Sequence, residues 1–301
     1  MGKVKPFLTI DEQINLLKSR GLIIKDIDEA RNALEYHNYY RLSGYSLTLR
    51  KNDKFYEGVA FSDLLQIYNF DNELKSIILD ALAEIEINLK THIGYVLGEL
   101  TDPLGYMDAK YYESNGKYEK FKNEFEEALS DNKHEVFVKH HIDEHDSEFP
   151  IWVAVEVLSF GSVSKFFKSL RQDLKKTICI QYYHAIKPYY LWVWFHSISV
   201  LRNICAHRAR LFNRGLTTAI PFPAKEFNKL KKYGYDPDGI GKKLFFAIII
   251  IDRILPNRGT SDKMIKQITA LAKKYPFVDL GHYGFKKNWK KILFDINEKY
   301  Y

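Results

Sequence analysis

"SDLLQIYNFDNELKSIILDALAEIEINLKTHIGYVLG", residues 62–98, is the stretch whose reading decides the fold. Its apolar residues return at intervals of three and four: Leu64, Ile67, Tyr68, Leu74, Ile77, Ile78, Leu82, Ile85, Leu89, Ile93 and Val96. That is the period of one buried helix face. At 1.5 Å per residue an unbroken helix here runs roughly 50 Å. Glu86 and Lys90 add an i,i+4 pair in the favourable order. Such a helix is usually the spine of an all-α domain, so an all-α bundle is the expected fold class.

The sequence on either side agrees. Thr9 and Glu12 form a capping box and Gly21 suits a C′ position, which predicts a helix over 10–20. A second helix is expected over 27–38. Ser43-Gly44 and Asn52-Asp53 are turn signals, so Tyr45–Leu49 paired with Lys54–Tyr56 reads as a small hairpin-like connector. Residues 115–148 are acidic and hold two helices. "PIWVAVEVLSFGSVSKFFKSL" reads as helix, a break at Gly161, then helix. Pro188 suits the N1 position of a helix from Tyr189 to about Asn213. The apolar run that begins "LFFAIIII" at Leu244 reads as a buried helix, because its neighbours are helical. The expected organisation is an N-terminal helical segment with the connector (1–60), a helical core (61–220), and a basic C-terminal helical part packed on that core (221–301).

The formal charge is +7, and it is unevenly placed. From Lys225 onward there are 17 Lys/Arg against 8 Asp/Glu. Arg171 to Arg214 carries eight basic residues and one acid, Asp173. A basic balance of this kind points to a polyanionic partner such as nucleic acid. Cys179 and Cys205 stand far apart, so there is no disulfide framework, and a reducing compartment fits. The start of the chain has no apolar run fit for a signal peptide. No apolar run approaches the roughly 20 residues of a membrane span. A cytoplasmic protein without a membrane or cofactor is the expectation.

"LRNICAHRARLFNR", residues 201–214, carries the chemistry. Asn203 and His207 are i,i+4 neighbours, whereas Arg202 lies about 140° round a straight helix from His207. Arg202 and His207 therefore meet only if the side chain curls round, the last turn distorts, or a second copy supplies one of them. RNA cleavage needs no metal when the 2′-OH is the nucleophile. A histidine can move the proton, and an arginine fork can hold the phosphate as charge builds. Asn203 would orient the imidazole, and Arg208, Arg210 and Arg214 would grip flanking backbone. The bare spacing is a weak signal, since about one Arg-to-His pair of this kind is expected by chance among 11 Arg and 10 His. A helix end whose basic residues complement its dipole gives the same pattern. Arg31 and His37 form a second such pair, read as structural.

Two further motifs compete for a role. "HIDEH", His141–His145, matches the inverted zinc-peptidase pattern with Glu144 as base. The segment is short and acidic, and it reads as a solvated helix end with no metal. Gly161, Ser162 and Ser164 at a helix start suit phosphate, but no preceding strand and no GK[ST] make a P-loop, so packing is the simpler reading. Glu156, alone on an apolar helix, needs a partner if buried, and Arg202 is one candidate.

Four blocks in order carry a resemblance: "YHNYYRLSGY" (36–45), "DNELKSIILDALAEIEINLKTHI" (71–93), "PIWVAVEVLSFGSVSKFF" (150–167) and "LRNICAHRARLFNR" (201–214). The chain resembles the Abi family of bacterial abortive-infection proteins, the AbiD/AbiF-like group, over about 8–255. That resemblance implies an all-α HEPN domain and a metal-independent endoribonuclease whose R-x4–6-H motif lies at a homodimer interface. It implies Arg202 and His207 as the catalytic pair with Asn203 beside them, and it matches Arg210, Asn213 and Arg214 to an R-L-x-N-R ending. Arg208 stands where a second His or a small residue is common, and Lys90 where Arg is often found. The implied role is phage defence or a toxin, with RNA as substrate and a small non-coding RNA or other antitoxin as restraint. A non-catalytic RNA- or protein-binding HEPN module carries the same surface. A metallopeptidase using His141 and His145 is the third reading.

Overall fold

The computed structural model describes Val4 and residues 6–300. Among these residues the fold is all-α apart from one two-stranded sheet. The expected spine is a single unbroken helix. Before it come α1 (Ile10–Ser19), α2 (Ile27–Tyr36), α3 (Tyr39–Ser43), β1 (Arg50–Lys51) and β2 (Lys54–Phe55). α4 then runs over Phe61–Leu100. After it come α5 (Asn115–Asp131), α6 (Val136–Glu144), α7 (Ile151–Ala154), α8 (Phe160–Ser169), α9 (Gln172–Tyr182) and α10 (Pro188–Ala206). The chain closes with α11 (Ala224–Lys232), α12 (Leu244–Ile254), α13 (Arg258–Lys274) and α14 (Trp289–Asn297).

α1 starts where the capping box puts it, with Glu12 N donating to Thr9 Oγ1 at 3.3 Å and Thr9 N to Glu12 Oε2 at 2.7 Å. Gly21 at φ +89° then takes the left-handed conformation that closes the helix. The connector's turn is at Asn52-Asp53, both left-handed at φ +49° and +61°, as a two-residue hairpin requires. Its first strand differs from the expectation. The pairing is Arg50↔Phe55 and Lys51↔Lys54, and Tyr45–Leu49 is no strand. Tyr45 is instead drawn into the core, only 1% exposed.

α4 packs against α7, α8, α9, α10, α12 and α13. Its apolar face is fully buried, from Leu64 through Ile93 to Leu97. α12 is buried on every side, as its run of isoleucines demands. It packs on α4, α10 and α14, while α13 lies along α4. Lys274 Nζ and Tyr275 OH both donate to Glu73 on α4, at 2.7 and 2.6 Å.

Two breaks fall elsewhere than expected. Gly161 does not interrupt a helix but lies in the first turn of α8. The chain bends before it, at Leu158-Ser159, and Ser159 Oγ caps Ser162 N at 3.1 Å. The helix expected to reach Asn213 stops at Ala206. No helix among the described residues is long and apolar enough to cross a membrane.

Candidate functional site

α10 carries the site. Leu191, Trp194, Phe195, Ile198, Leu201 and Cys205 bury most of its circumference. Trp194 is fixed by its indole N–H on Pro221 O at 2.8 Å. One continuous stripe stays open along its length. At 100° per residue Tyr189, Trp192, Val200, Asn203 and His207 all lie within about 40° of His196. All six are half-buried or exposed. Asn203 and His207 therefore share one solvent-facing line, as their spacing predicts.

The helix ends in a Schellman arrangement. Arg208 N donates to Cys205 O at 3.0 Å and Ala209 N to Ile204 O at 2.9 Å. His207 is the C-cap, exposed at the last turn, and Arg208 occupies the left-handed C′ position at φ +52°. Glycine is the residue favoured there, and a side chain costs roughly 1 kcal/mol. The Arg208 side chain offsets that cost locally. Its Nη1 reaches Asn72 O at 3.3 Å and Ser76 Oγ at 3.2 Å on α4. Arg41 of α3 donates to the Arg208 carbonyl from the other side.

The loop after the motif is bolted to α4 by Asp71. This carboxylate is wholly buried and accepts from Leu211 N (3.1 Å), Phe212 N (2.8 Å), Tyr45 OH (2.8 Å) and Tyr283 OH (2.9 Å). Lys75, also wholly buried, stands 2.9 Å away and supplies the compensating charge. Burial and the Asp71 charge push both phenols far above their ordinary range, so they remain donors. One carboxylate thus joins the connector, the spine, the motif loop and the segment before α14. Arg210 donates to Phe212 O at 2.7 Å and lies against Gly44. Lys243 reaches Asn213, itself left-handed at φ +49°. Arg214 is half-buried just beyond.

Arg202 faces another way. Its Nε lies 3.7 Å from Glu86 Oε2 on α4, and Nη1 donates to Asn203 Oδ1 at 3.4 Å. Glu86 is shared with Lys90 at 3.9 Å, and Lys90 in turn meets Glu156 at 3.9 Å. Glu156 is exposed, and its partner is Lys90 rather than Arg202. Within one chain Arg202 and His207 therefore stand on different sides of α10, each accessible to a ligand. Cys205 lies between them but is buried, which pushes its thiol up to about 12. It supplies no thiolate at neutral pH.

The other end of the open stripe borders a cleft of about 530 Å³ between α5, α8 and α10. Lys117, Lys120, Lys165 and Lys168 rim it together with Glu124, which accepts from Lys165 at 3.1 Å, and Trp192 and His196 of α10 form one wall. Lys168 Nζ sits 3.9 Å over the Trp192 ring. The acidic balance of residues 115–148 masks Lys117 and Lys120, and Lys165 and Lys168 belong to no motif. The signal was the i,i+3 repeat within α5 (117, 120) and α8 (165, 168), which puts two cations on one face.

The remaining motifs keep structural roles. Arg31 pairs with Asp11, and His37 packs on Tyr68 with ring centroids 4.7 Å apart. Ser164 Oγ donates to Gly161 O at 2.8 Å, so the serines at the start of α8 are satisfied within the helix.

Residues 32–213 match the model of the Abi-like protein family. The chain belongs to that family. The Abi-like segment runs from α2 to the residues pinned by Asp71, so it contains the open stripe, Arg202, His207 and the lysine cleft. α11–α14 follow it. No curated protein and no solved structure matches the chain.

Proposed function

We propose that this Abi-like protein is a metal-independent HEPN endoribonuclease of the AbiD/AbiF-like group, acting in phage defence or as a toxin. The observation that carries the reading is the open stripe of α10. It sets Asn203 and His207 in solvent on an otherwise buried helix and leads to a cleft rimmed by four lysines. His207 removes the 2′-OH proton or protonates the departing 5′-oxygen, Arg202 holds the phosphate, and Asn203 orients one or the other. The 2′-oxygen bonds to phosphorus as the P–O5′ bond breaks, leaving a 2′,3′-cyclic phosphate and a 5′-hydroxyl. Lys168 and Trp192 receive a flanking nucleotide, cation to phosphate and ring to base.

Arg202 turns to Glu86 while His207 faces solvent, and in this reading two copies each lend one residue to a shared site. Homodimerisation, the RNA substrate and a cytoplasmic setting all belong to this proposal. The small non-coding RNA or other antitoxin expected from the resemblance would act by occupying the same basic surface.

The test is incubation of purified wild type and His207→Ala with total RNA and with a transfer-RNA pool in EDTA. Cleavage by wild type alone, with cyclic phosphate ends, supports the reading. RNA binding without cleavage by either supports a non-catalytic binding module.

A further inference from the structure

The end of α6 gathers three imidazoles. His140 and His141 lie in its last turns, and His145 is its C-cap. Asp146 and Ser147 then take left-handed φ values of +48° and +61°. Ser147 N donates to His141 O at 3.0 Å and Glu148 N to His145 O at 2.7 Å, so the chain doubles back and lays His145 over the other two.

The ring geometry is that of a coordination site. Nε2 of His145 lies 3.3 Å from Nε2 of His140. One ring nitrogen from each of the three lies within 4.8 Å of the others. Ring centroids are separated by 4.9, 4.9 and 5.6 Å, and the planes are steeply inclined, at 61–84°. Three imidazoles on a tetrahedral ion at the usual Zn–N length have nitrogens about 3.3 Å apart and centroids about 5.2 Å apart. A hydrogen bond between His140 and His145 explains one contact but not the convergence of the third ring. His141 Nδ1 is buried with no hydrogen-bond partner among the described residues. The His141 ring is held by stacking on Phe149, 5.4 Å away.

We propose that His140, His141 and His145 bind one zinc-type transition-metal cation, with water completing the coordination. Three neutral nitrogens suit zinc, and do not suit the hard cations magnesium and calcium. The ion would clasp the turn at 145–148 to α6 and so fix the approach to Phe149 and α7. The H-x-x-E-H motif supplies two of these ligands, His141 and His145. His140, outside the motif, supplies the third nitrogen. The proposal shares no residue with the ribonuclease reading and stands or falls separately.

The test uses the untagged full chain, stripped with EDTA and dialysed, then titrated with Zn²⁺ by calorimetry at neutral pH. Saturation at one ion per chain is expected, and Co²⁺ should give the visible spectrum of a tetrahedral nitrogen site. His140→Ala/His145→Ala should weaken Zn²⁺ by more than about a hundredfold, beyond the loss of an outer-shell partner. Both positions are exposed, so circular dichroism should show the fold unchanged. Affinity should also fall as pH drops through the imidazole range, where protons compete. No saturable binding by wild type overturns the proposal. So does one-to-one binding that survives in a folded variant lacking all three histidines.

Discussion

Two carboxylates on α4, Asp71 and Glu86, both serve the motif on α10, and they do so differently. Asp71 is wholly buried, answered by a buried lysine and four further donors at 2.8–3.1 Å. Glu86 is partly open to solvent and meets its two cations at 3.7 and 3.9 Å. A buried charge persists only with its partners complete, so Asp71 can hold the motif loop in just one arrangement. A loose, solvent-screened pair costs little to part. One acid therefore builds the frame of the site, and the other keeps its arginine available to a competing anion.

The sharpest way to break this contrast is Asp71→Ala. It leaves Lys75 buried and unpaired and strips two backbone amides of their acceptor. A loss of about 3–5 kcal/mol is expected in urea unfolding. A loss below 1 kcal/mol would mean the hub is not the frame.

His92, further along the same helix, extends the comparison to pH. Its imidazole is stacked on Tyr182 at 3.8 Å and bonded to Tyr183 OH at 2.9 Å, and burial lowers its pKa to about 4. The unfolded histidine, near 6.5, takes up a proton first as pH falls. Its contribution is intact above about pH 6.5 and is lost as pH falls towards 4, amounting to up to about 3 kcal/mol. Unfolding measured across that window should be flatter with pH in His92→Gln than in wild type.

Arg208 tests the motif end itself. In the left-handed position glycine relieves strain and alanine does not, while both delete the contacts to Asn72 and Ser76. Arg208→Gly should therefore be about 1 kcal/mol more stable than Arg208→Ala by thermal unfolding. The smallest expected effect on stability is Glu86→Gln, under about 1 kcal/mol. In a His207→Ala background, which keeps substrate uncleaved, it should tighten RNA binding a few-fold at low salt by removing one negative charge beside Arg202.

Much of this was legible in the sequence. The spine, the capping box, the buried α12 and the Asn203–His207 face all follow from periodicity and capping chemistry, which are local. The hub was legible in principle, since Asp71 and Lys75 fall on the same three-and-four repeat as Leu64, Ile67, Leu74 and Ile78. A charge pair on a core stripe announces a buried network, but not the partners 140 or 212 residues away that complete it. The end of α10 was misplaced for a related reason. No glycine or proline marks Ala206, and the left-handed residue there is an arginine held by tertiary contacts. The lysine cleft joins three helices and has no single sequence signature. The partner of Glu156 depended on a crossing angle that spacing does not fix.

In the proposed ribonuclease, Arg202 and His207 act together from different copies. Arg202→Ala and His207→Ala should each be inactive on RNA in EDTA. Mixed and allowed to exchange subunits, they should regain cleavage, roughly a quarter of wild type at full exchange, because each mixed dimer rebuilds one site. A mixture as inactive as its parents, beside a wild type that cleaves, would contradict it.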